Sequence, residues 1–213
     1  MTESQIDRLT RADRDIILSI VPEGARVLDL GCGDGGLLAE LIEKKKVVGC
    51  GVDIDWQNLI HAMERGLSVY QGDLDEGLAD FHDCSYDYVI LNQTLQVIKK
   101  PEKVIGEMLR IGSRGVVGFP NSGYWYLRMS HMVRGRMPKS RVLPFEWYNT
   151  PNIHCLTILD FKDFCRHEGI RISREEYFML GKWRYSPLVN PLANLLAING
   201  MFVIQRDEAF VSR

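Results

Sequence analysis

The stretch Arg26-Val-Leu-Asp-Leu-Gly-Cys-Gly-Asp-Gly-Gly36 constrains this chain more than any other. Val27, Leu28 and Leu30 form a short apolar run set off by the turn residues Pro22-Glu23-Gly24, and read as a buried strand. Glycines at 31, 33, 35 and 36 follow, supplying the tight turns and close approaches a ligand loop requires. Leu37, Leu38, Leu41 and Ile42 then recur at helical spacing. A strand, a glycine loop and a helix starting near Asp34 make a nucleotide site, with bare loop N–H groups expected to face the ligand.

The spacing Gly31-x-Gly33-x-x-Gly36 also fits a dinucleotide fingerprint, so the acids decide between ligands. Asp29 ends the strand and Asp34 opens the helix, where a pyrophosphate would lie. At about 5 Å and an effective dielectric near 20, each charge pair would cost roughly 3 kcal/mol in repulsion. The ammonium and sulfonium of S-adenosylmethionine are instead attracted by the same carboxylates. The electrostatics favour the methyl donor over NAD.

The 213 residues suffice for one domain with a sizeable core. A net charge of −2 argues against a chain built to bind nucleic acid or acidic lipid. The five cysteines are odd in number and contain no C-x-x-C pair, so neither a disulfide framework nor a zinc ribbon is expected. The N-terminal residues carry charge where a signal peptide is apolar, and Asn190, Pro191, Asn194 and Asn199 interrupt the best candidate span. A cytoplasmic protein is the expectation.

Ile6, Leu9, Ile16, Ile17 and Ile20 predict an N-terminal helix, within residues 1–21, against one edge of the sheet. Val47 to Asp53 reads as a second buried strand ending about 20 residues beyond Gly31, where a doubly wound fold holds the carboxylate that accepts from both ribose hydroxyls. Asp55 is the alternative ribose ligand, but better suited to cap the next helix. Ser68 to Gln71 is a third strand; Asp73 after it is placed to accept from an adenine amino group, or simply to form a turn with Gly72. Further strands are expected at Tyr86–Leu91, Gly115–Phe119, Ile170–Phe178 and Met201–Arg206, with Pro101 opening one helix and a Thr157-x-x-Asp160 cap opening another. Alternating strands and helices predict a parallel sheet covered on both faces.

Residues 121–150 break the pattern. They carry Tyr124, Trp125, Tyr126, Phe145, Trp147 and Tyr148 among Arg128, Arg134, Arg136, Lys139 and Arg141, with Glu146 the only acid. A segment of this length without regular structure suits a lid or a partner surface, or a plug for one end of the sheet. Its composition would also suit stacking on RNA, which the net charge disfavours.

The stretch after the fourth strand offers Asn92, Gln93, Thr94 and Gln96, none a good base near neutral pH. His154, beside Cys155, is the one histidine placed to reach the site from the irregular segment. Asn92, Gln96 and His154 are thus weak catalytic candidates. No His/Cys/Asp/Glu cluster has metal-ligand spacing.

Residues 27–35, Gly51-Val-Asp53, Gly72-Asp-Leu74 and Tyr86-Asp-Tyr-Val-Ile90, in that order, are similar to the motifs of class I S-adenosylmethionine-dependent methyltransferases. Gln71-Gly-Asp-Leu-Asp-Glu-Gly-Leu78, Leu91-Asn-Gln-Thr-Leu-Gln96, Phe119-Pro-Asn121, Gly135-Arg-Met-Pro138 and residues 143–154 more narrowly resemble the bacterial methionine-biosynthesis family MetW. The likeness runs from about Asp13 to Arg206, departing at Ser122 and Tyr124. It implies a Rossmann-like α/β fold, doubly wound, with a mostly parallel seven-stranded sheet and an aromatic, basic insertion at 121–154 after strand five. It implies S-adenosylmethionine or S-adenosylhomocysteine held by Asp29, Gly31, Gly33 and Gly35 at the amino-acid end. Asp53 would meet the ribose, Asp73 and Leu74 the adenine, with Cys32, Ile54 and Asn92 as further cofactor-binding residues. Homoserine O-acyltransferase is the implied partner. The resemblance implies no methyl acceptor.

Overall fold

The computed structural model describes residues 3–139, 146–179, 182–184 and 192–207. Arg141 and Phe145 of the aromatic segment, and Asn190 and Pro191, lie outside them. The helices are α1 (Glu3–Ile20), α2 (Gly36–Lys45), α3 (Trp56–Glu64), α4 (Pro101–Ile111), α5 (Trp125–Arg134), α6 (Ile158–His167) and α7 (Ala193–Leu196). The strands are β1 (Arg26–Leu30), β2 (Val48–Asp53), β3 (Ser68–Gln71), β4 (Tyr86–Asn92), β5 (Gly112–Pro120), β6 (Ile170–Met179), β7 (Lys182–Arg184) and β8 (Asn199–Arg206).

The strands form one sheet in the order β3-β2-β1-β4-β5-β8-β6-β7. The first five run parallel, and β8 lies antiparallel between β5 and β6. This is the expected seven-stranded sheet, extended at one edge by the three-residue β7. Side chains alternate across it. Leu28, Leu30, Val89, Leu91, Val117 and Phe119 face a core with α4 and α6, whereas Val27, Tyr88, Ile90 and Val116 face one with α1 and α2. Apolar residues on both faces explain why these strands read as near-continuous hydrophobic runs.

Helix α1 reaches the edge strand β7, as expected, and also covers part of a sheet face. Ile17, Leu18 and Val21 pack with Leu37, Leu38 and Leu41 of α2 over Val27 and Ile90, so the helix lies on a sheet face. Burying an apolar stripe against a broad apolar face removes more surface from water than an edge offers. Thr157 and Asp160 form the expected reciprocal cap of α6. Pro120 falls within β5, not beyond it.

The segment after β5 is also more regular than expected, since α5 occupies residues 125–134. Asn121 organises its start. Its buried amide donates to the Asn194 and Ala197 carbonyls, and its Oδ1 accepts from Gly123 N–H.

Candidate functional site

Strand order reverses where β1 lies between β2 and β4, and the crevice outside the carboxyl ends of such strands is where open α/β sheets bind ligands. Asp29, Asp53, Gln71 and Asn92 stand at or next to those ends, in neighbouring registers.

The glycine loop differs from a phosphate cradle. Gly31 and Cys32 N–H both donate to the Val52 carbonyl, at 2.7 and 3.0 Å. Gly33 N–H donates to Asp53 Oδ2 at 2.8 Å, Gly35 N–H to the Cys32 carbonyl, and Gly36 N–H to Asp34 Oδ1. The glycine N–H groups of the loop are therefore engaged within the protein, and the crevice is rich in acceptors. Phosphate needs donors, so this loop chemistry disfavours a pyrophosphate independently of charge.

Gly31 and Gly35 need to be glycine for sterics as well as φ. Gly31 lies at φ +74°, and a β-carbon there would sit 2.4 Å from Thr94 Oγ1. Gly35 lies at φ +75°, with Leu67 Cδ1 at 2.3 Å and Ala62 Cβ at 3.0 Å from such a carbon. Gly35→Ala is expected to lower stability by about 2–4 kcal/mol, from left-handed backbone strain plus overpacking. Urea unfolding should show a lower midpoint at an unchanged m-value; an unchanged midpoint would contradict this packing.

Asp29 faces the α1–α2 layer and is only 3% exposed, yet its carboxylate accepts no hydrogen bond among the described residues. Burial, then the nearby Asp53 charge, raise its pKa to about 7, against the pull of Arg14. A buried carboxyl without a protein donor fits a cationic ligand group. Asp34 does not share that role. It pairs with Arg65 at 2.6 Å, so its charge is compensated and the electrostatic case for a cation rests on Asp29 and Asp53.

Asp53 Oδ2 accepts from Gly33 and Oδ1 from Asp55 N–H at 2.9 Å, which fixes the carboxylate while leaving further lone pairs. Asp55 caps α3 by accepting from Gln57 N–H. Ile54 is exposed beside Asp53, whereas Leu74 is packed in the core with Leu78 and Val52. The exposed apolar side chain at this end is thus that of Ile54. Asp73 Oδ1 accepts from Asp75 N–H in a turn. Cys32 packs onto Gly51, and burial, with the Asp29 and Asp53 charges, pushes its thiol up to about 12, so it stays protonated.

At the end of β4, Asn92 and Gln96 leave the buried oxygens Oδ1 and Oε1 without a protein partner among the described residues. Gln96 Nε2 donates to the Gln93 carbonyl at 2.7 Å, and the Gln96 carbonyl accepts from Ile153 and His154 N–H. His154 also lines an apolar cavity of about 260 Å³ with Leu95, Pro101, Ile105, Phe161 and Phe164.

Two residues escaped the sequence reading. Asp13 of α1 is 2% exposed, and its Oδ2 accepts from Gln93 Nε2 at 3.0 Å while Oδ1 has no partner among the described residues. Burial raises its pKa to about 7, opposed by hydrogen bonds from Gln93 and Asn92. Arg14 follows it. The available signal was an acid on the apolar face of the helix, four residues after Leu9 and before Ile17. No group of His, Cys, Asp and Glu among the described residues could hold a metal ion.

The family model described as "Methionine biosynthesis protein MetW" matches residues 11–204. The chain belongs to the MetW family. It is 38% identical over 212 residues to the bifunctional methionine biosynthesis protein MetXA/MetW of Rhodopirellula baltica, covering 95% of this chain and 34% of that protein. A ubiquinone biosynthesis O-methyltransferase of Idiomarina loihiensis is 37% identical over 87 residues, covering 38% of this chain and 35% of that protein. The chain thus spans about a third of the length of these relatives. An S-adenosylmethionine-dependent methyltransferase from Mesorhizobium loti superposes with a TM-score of 0.68 at 16% identity, covering 92% of this chain and 98% of that one. One from Archaeoglobus fulgidus gives 0.64 at 17%, covering 97% and 100%. These structures show that the MetW-family chain has the methyltransferase fold. No helix among its described residues is long and apolar enough to cross a membrane.

Proposed function

We propose that this MetW-family chain is an accessory subunit of methionine biosynthesis. It binds S-adenosylmethionine or S-adenosylhomocysteine in the crevice and docks on homoserine O-acyltransferase through residues 121–154. The observation that carries this reading is an acceptor-rich crevice beside a β4 end whose own side chains are amides. Asp29 meets the ligand's ammonium, Asp53 its ribose hydroxyls, and Ile54 and Asp73 its adenine. The ligand's sulfonium would supply an electrophilic methyl group.

The exposed face of α5 supports the docking role. Trp125, Met129, Met132 and Val133 repeat at helical spacing, the last two 70% and 73% exposed. Trp147 and Tyr148, further along the same segment, are also open, at 77% and 70%. Arg134 and Arg136 form no ion pair among the described residues, whereas Lys139 pairs with Glu146. Aromatic anchors with arginine suit a protein interface. The Rhodopirellula relative bears MetXA and MetW together in its name, with most of its length outside the match.

Calorimetric titration with S-adenosylhomocysteine, with and without the acyltransferase, tests this. Affinity is expected to change at least fivefold on adding the partner, a coupling of about 1 kcal/mol. Equal affinities would refute the coupling. Replacing Trp147 and Arg136 together by Ala is expected to abolish co-purification, and unchanged co-purification would refute the docking surface.

The second reading is a methyltransferase acting on a small molecule or protein. The unpartnered oxygens of Asn92 and Gln96 favour it, because they suit an acceptor that brings its own N–H groups. Methyl transfer is in-line, so alignment and exclusion of water would then be the protein's main contribution.

A further inference from the structure

Asn199, the first residue of β8, is a fully buried carboxamide. Neither its Oδ1 nor its Nδ2 has a partner among the described residues. Asn121, the residue after β5, shows the contrast. Its Nδ2 donates to the Asn194 and Ala197 carbonyls, and its Oδ1 accepts from Gly123 and Ile158 N–H, so that amide serves the fold. Protein interiors rarely leave a polar side chain unpaired, and one unpaired through both donor and acceptor points to a ligand group.

Strand β8 runs antiparallel to β5, so Asn199, paired with Pro120, lies at the carboxyl ends of the parallel strands. It stands two residues before Met201, which faces the α1–α2 layer, and so faces the same way. Asn92 shares that face. A β-carbon on Gly118 would fall 2.2 Å from Asn92 Oδ1 and 3.2 Å from Met201 Cε. Gly118 is paired with Asn92 on one side and Met201 on the other. The unpartnered Asn92 Oδ1 and the Asn199 amide thus belong to one polar strip beside the crevice, with a residue lacking a side chain between them.

We infer that Asn199 and Asn92 form the acceptor-side subsite of the crevice, and that its ligand bears a primary carboxamide. The inference rests on the crevice being a methyl-donor site and gives the methyltransferase reading a substrate class. The Asn199 side chain presents an N–H and a carbonyl oxygen along one edge. A primary carboxamide presents the same two groups along its own edge, so both bonds form at once, and its second N–H is free for Asn92 Oδ1. A trans peptide unit holds its N–H and C=O on opposite sides and pairs only one of them. A ketone lacks the donor, and an ammonium lacks the acceptor. Because Asn199 is closed to solvent, entry requires neighbours such as the flexible Met201 to swing aside. A group that leaves either amide atom unpaired there is strongly rejected.

The test follows the side-chain amide resonances of Asn199 and Asn92 by nuclear magnetic resonance, in protein saturated with S-adenosylhomocysteine. Acetamide, acetone and N-methylacetamide are the probes. Acetamide is expected to shift both resonances saturably, and the other two to need at least about tenfold higher concentration. In Asn199→Leu, close in size but apolar, the acetamide response at Asn92 should be lost, and the variant should melt no lower than wild type. No saturable shift with acetamide, or an equal response to all three probes, would overturn the inference. An unchanged Asn92 response in Asn199→Leu would do the same. A variant that melts lower, or fails to fold, would also overturn it by marking Asn199 as a support of the fold. If S-adenosylhomocysteine itself does not bind, the donor reading fails, and the acetamide titration of the ligand-free protein still decides whether the amide subsite exists.

Discussion

Replacing Asp53 by Ala is expected to weaken S-adenosylhomocysteine binding more than a hundredfold while the protein stays folded. Two charge-assisted hydrogen bonds to ribose hydroxyls are worth about 3 kcal/mol or more when both are lost, and each 1.4 kcal/mol is tenfold. The same carboxylate holds Gly33 and Asp55 N–H, so the substitution also loosens the glycine loop. Those bonds lie at the rim of the crevice, and water can replace them. The cooperative unfolding transition should therefore survive. Asp53→Asn separates the two contributions. It keeps one acceptor oxygen, but its amide confronts a backbone N–H or a hydroxyl, and an intermediate affinity is expected. Calorimetry with circular dichroism on both variants decides the matter. Retained affinity in Asp53→Ala would refute the ribose assignment.

Asp29→Asn is expected to act in opposite directions on stability and on binding. The Asp29 pKa in the folded chain, about 7, is raised above its value of 3.8 in the unfolded chain. Between those values the folded protein holds a proton that the unfolded chain releases, so stability falls as pH rises through the window. Below the unfolded pKa the contribution is fully present; above pH 7 it has been lost, at a cost on the order of 4 kcal/mol. Asn carries no charge to desolvate. The ligand-free variant should melt about 8–16 °C above wild type at pH 8, and close to it at pH 4. Binding responds the other way. An amide attracts an ammonium weakly, so affinity for S-adenosylhomocysteine should drop at least tenfold. A variant that melts lower than wild type at pH 8 would show that the carboxylate serves the fold rather than a ligand.

The raised pKa also sets the pH dependence of wild-type binding. An ammonium group draws the Asp29 proton off, so affinity should weaken below pH 7 as protonation competes. This is the chemistry of a site that stores strain for a ligand, and the stability gained by removing the carboxylate measures it.

The chain's local patterns determined the fold class, the position of the crevice and the MetW-family likeness. Strand runs such as Val27–Leu30 and Tyr86–Leu91 are apolar because parallel strands are buried on both faces, and that demand is written residue by residue. Asp53 was legible for a similar reason, since the length of a strand–helix–strand unit fixes where its second strand ends.

Only the tertiary structure decided where the polar groups find partners. Asp34 looks like part of an acidic crevice until Arg65, on the next helix, takes its charge. The glycine N–H groups look bare until Val52 and Asp53 of β2 accept from them. Leu74 packs with Leu78 and Val52, and His154 lines an apolar cavity with Leu95 and Phe161, neighbours that the sequence does not announce. Asp13 and Arg14 reach the crevice because α1 packs on a face of the sheet, bringing them beside β4 and α2. Hydrophobic periodicity specifies which side of an element is buried, but not what it is buried against. Charge pairing and hydrogen bonding between residues distant in the chain follow from that second choice, which packing makes.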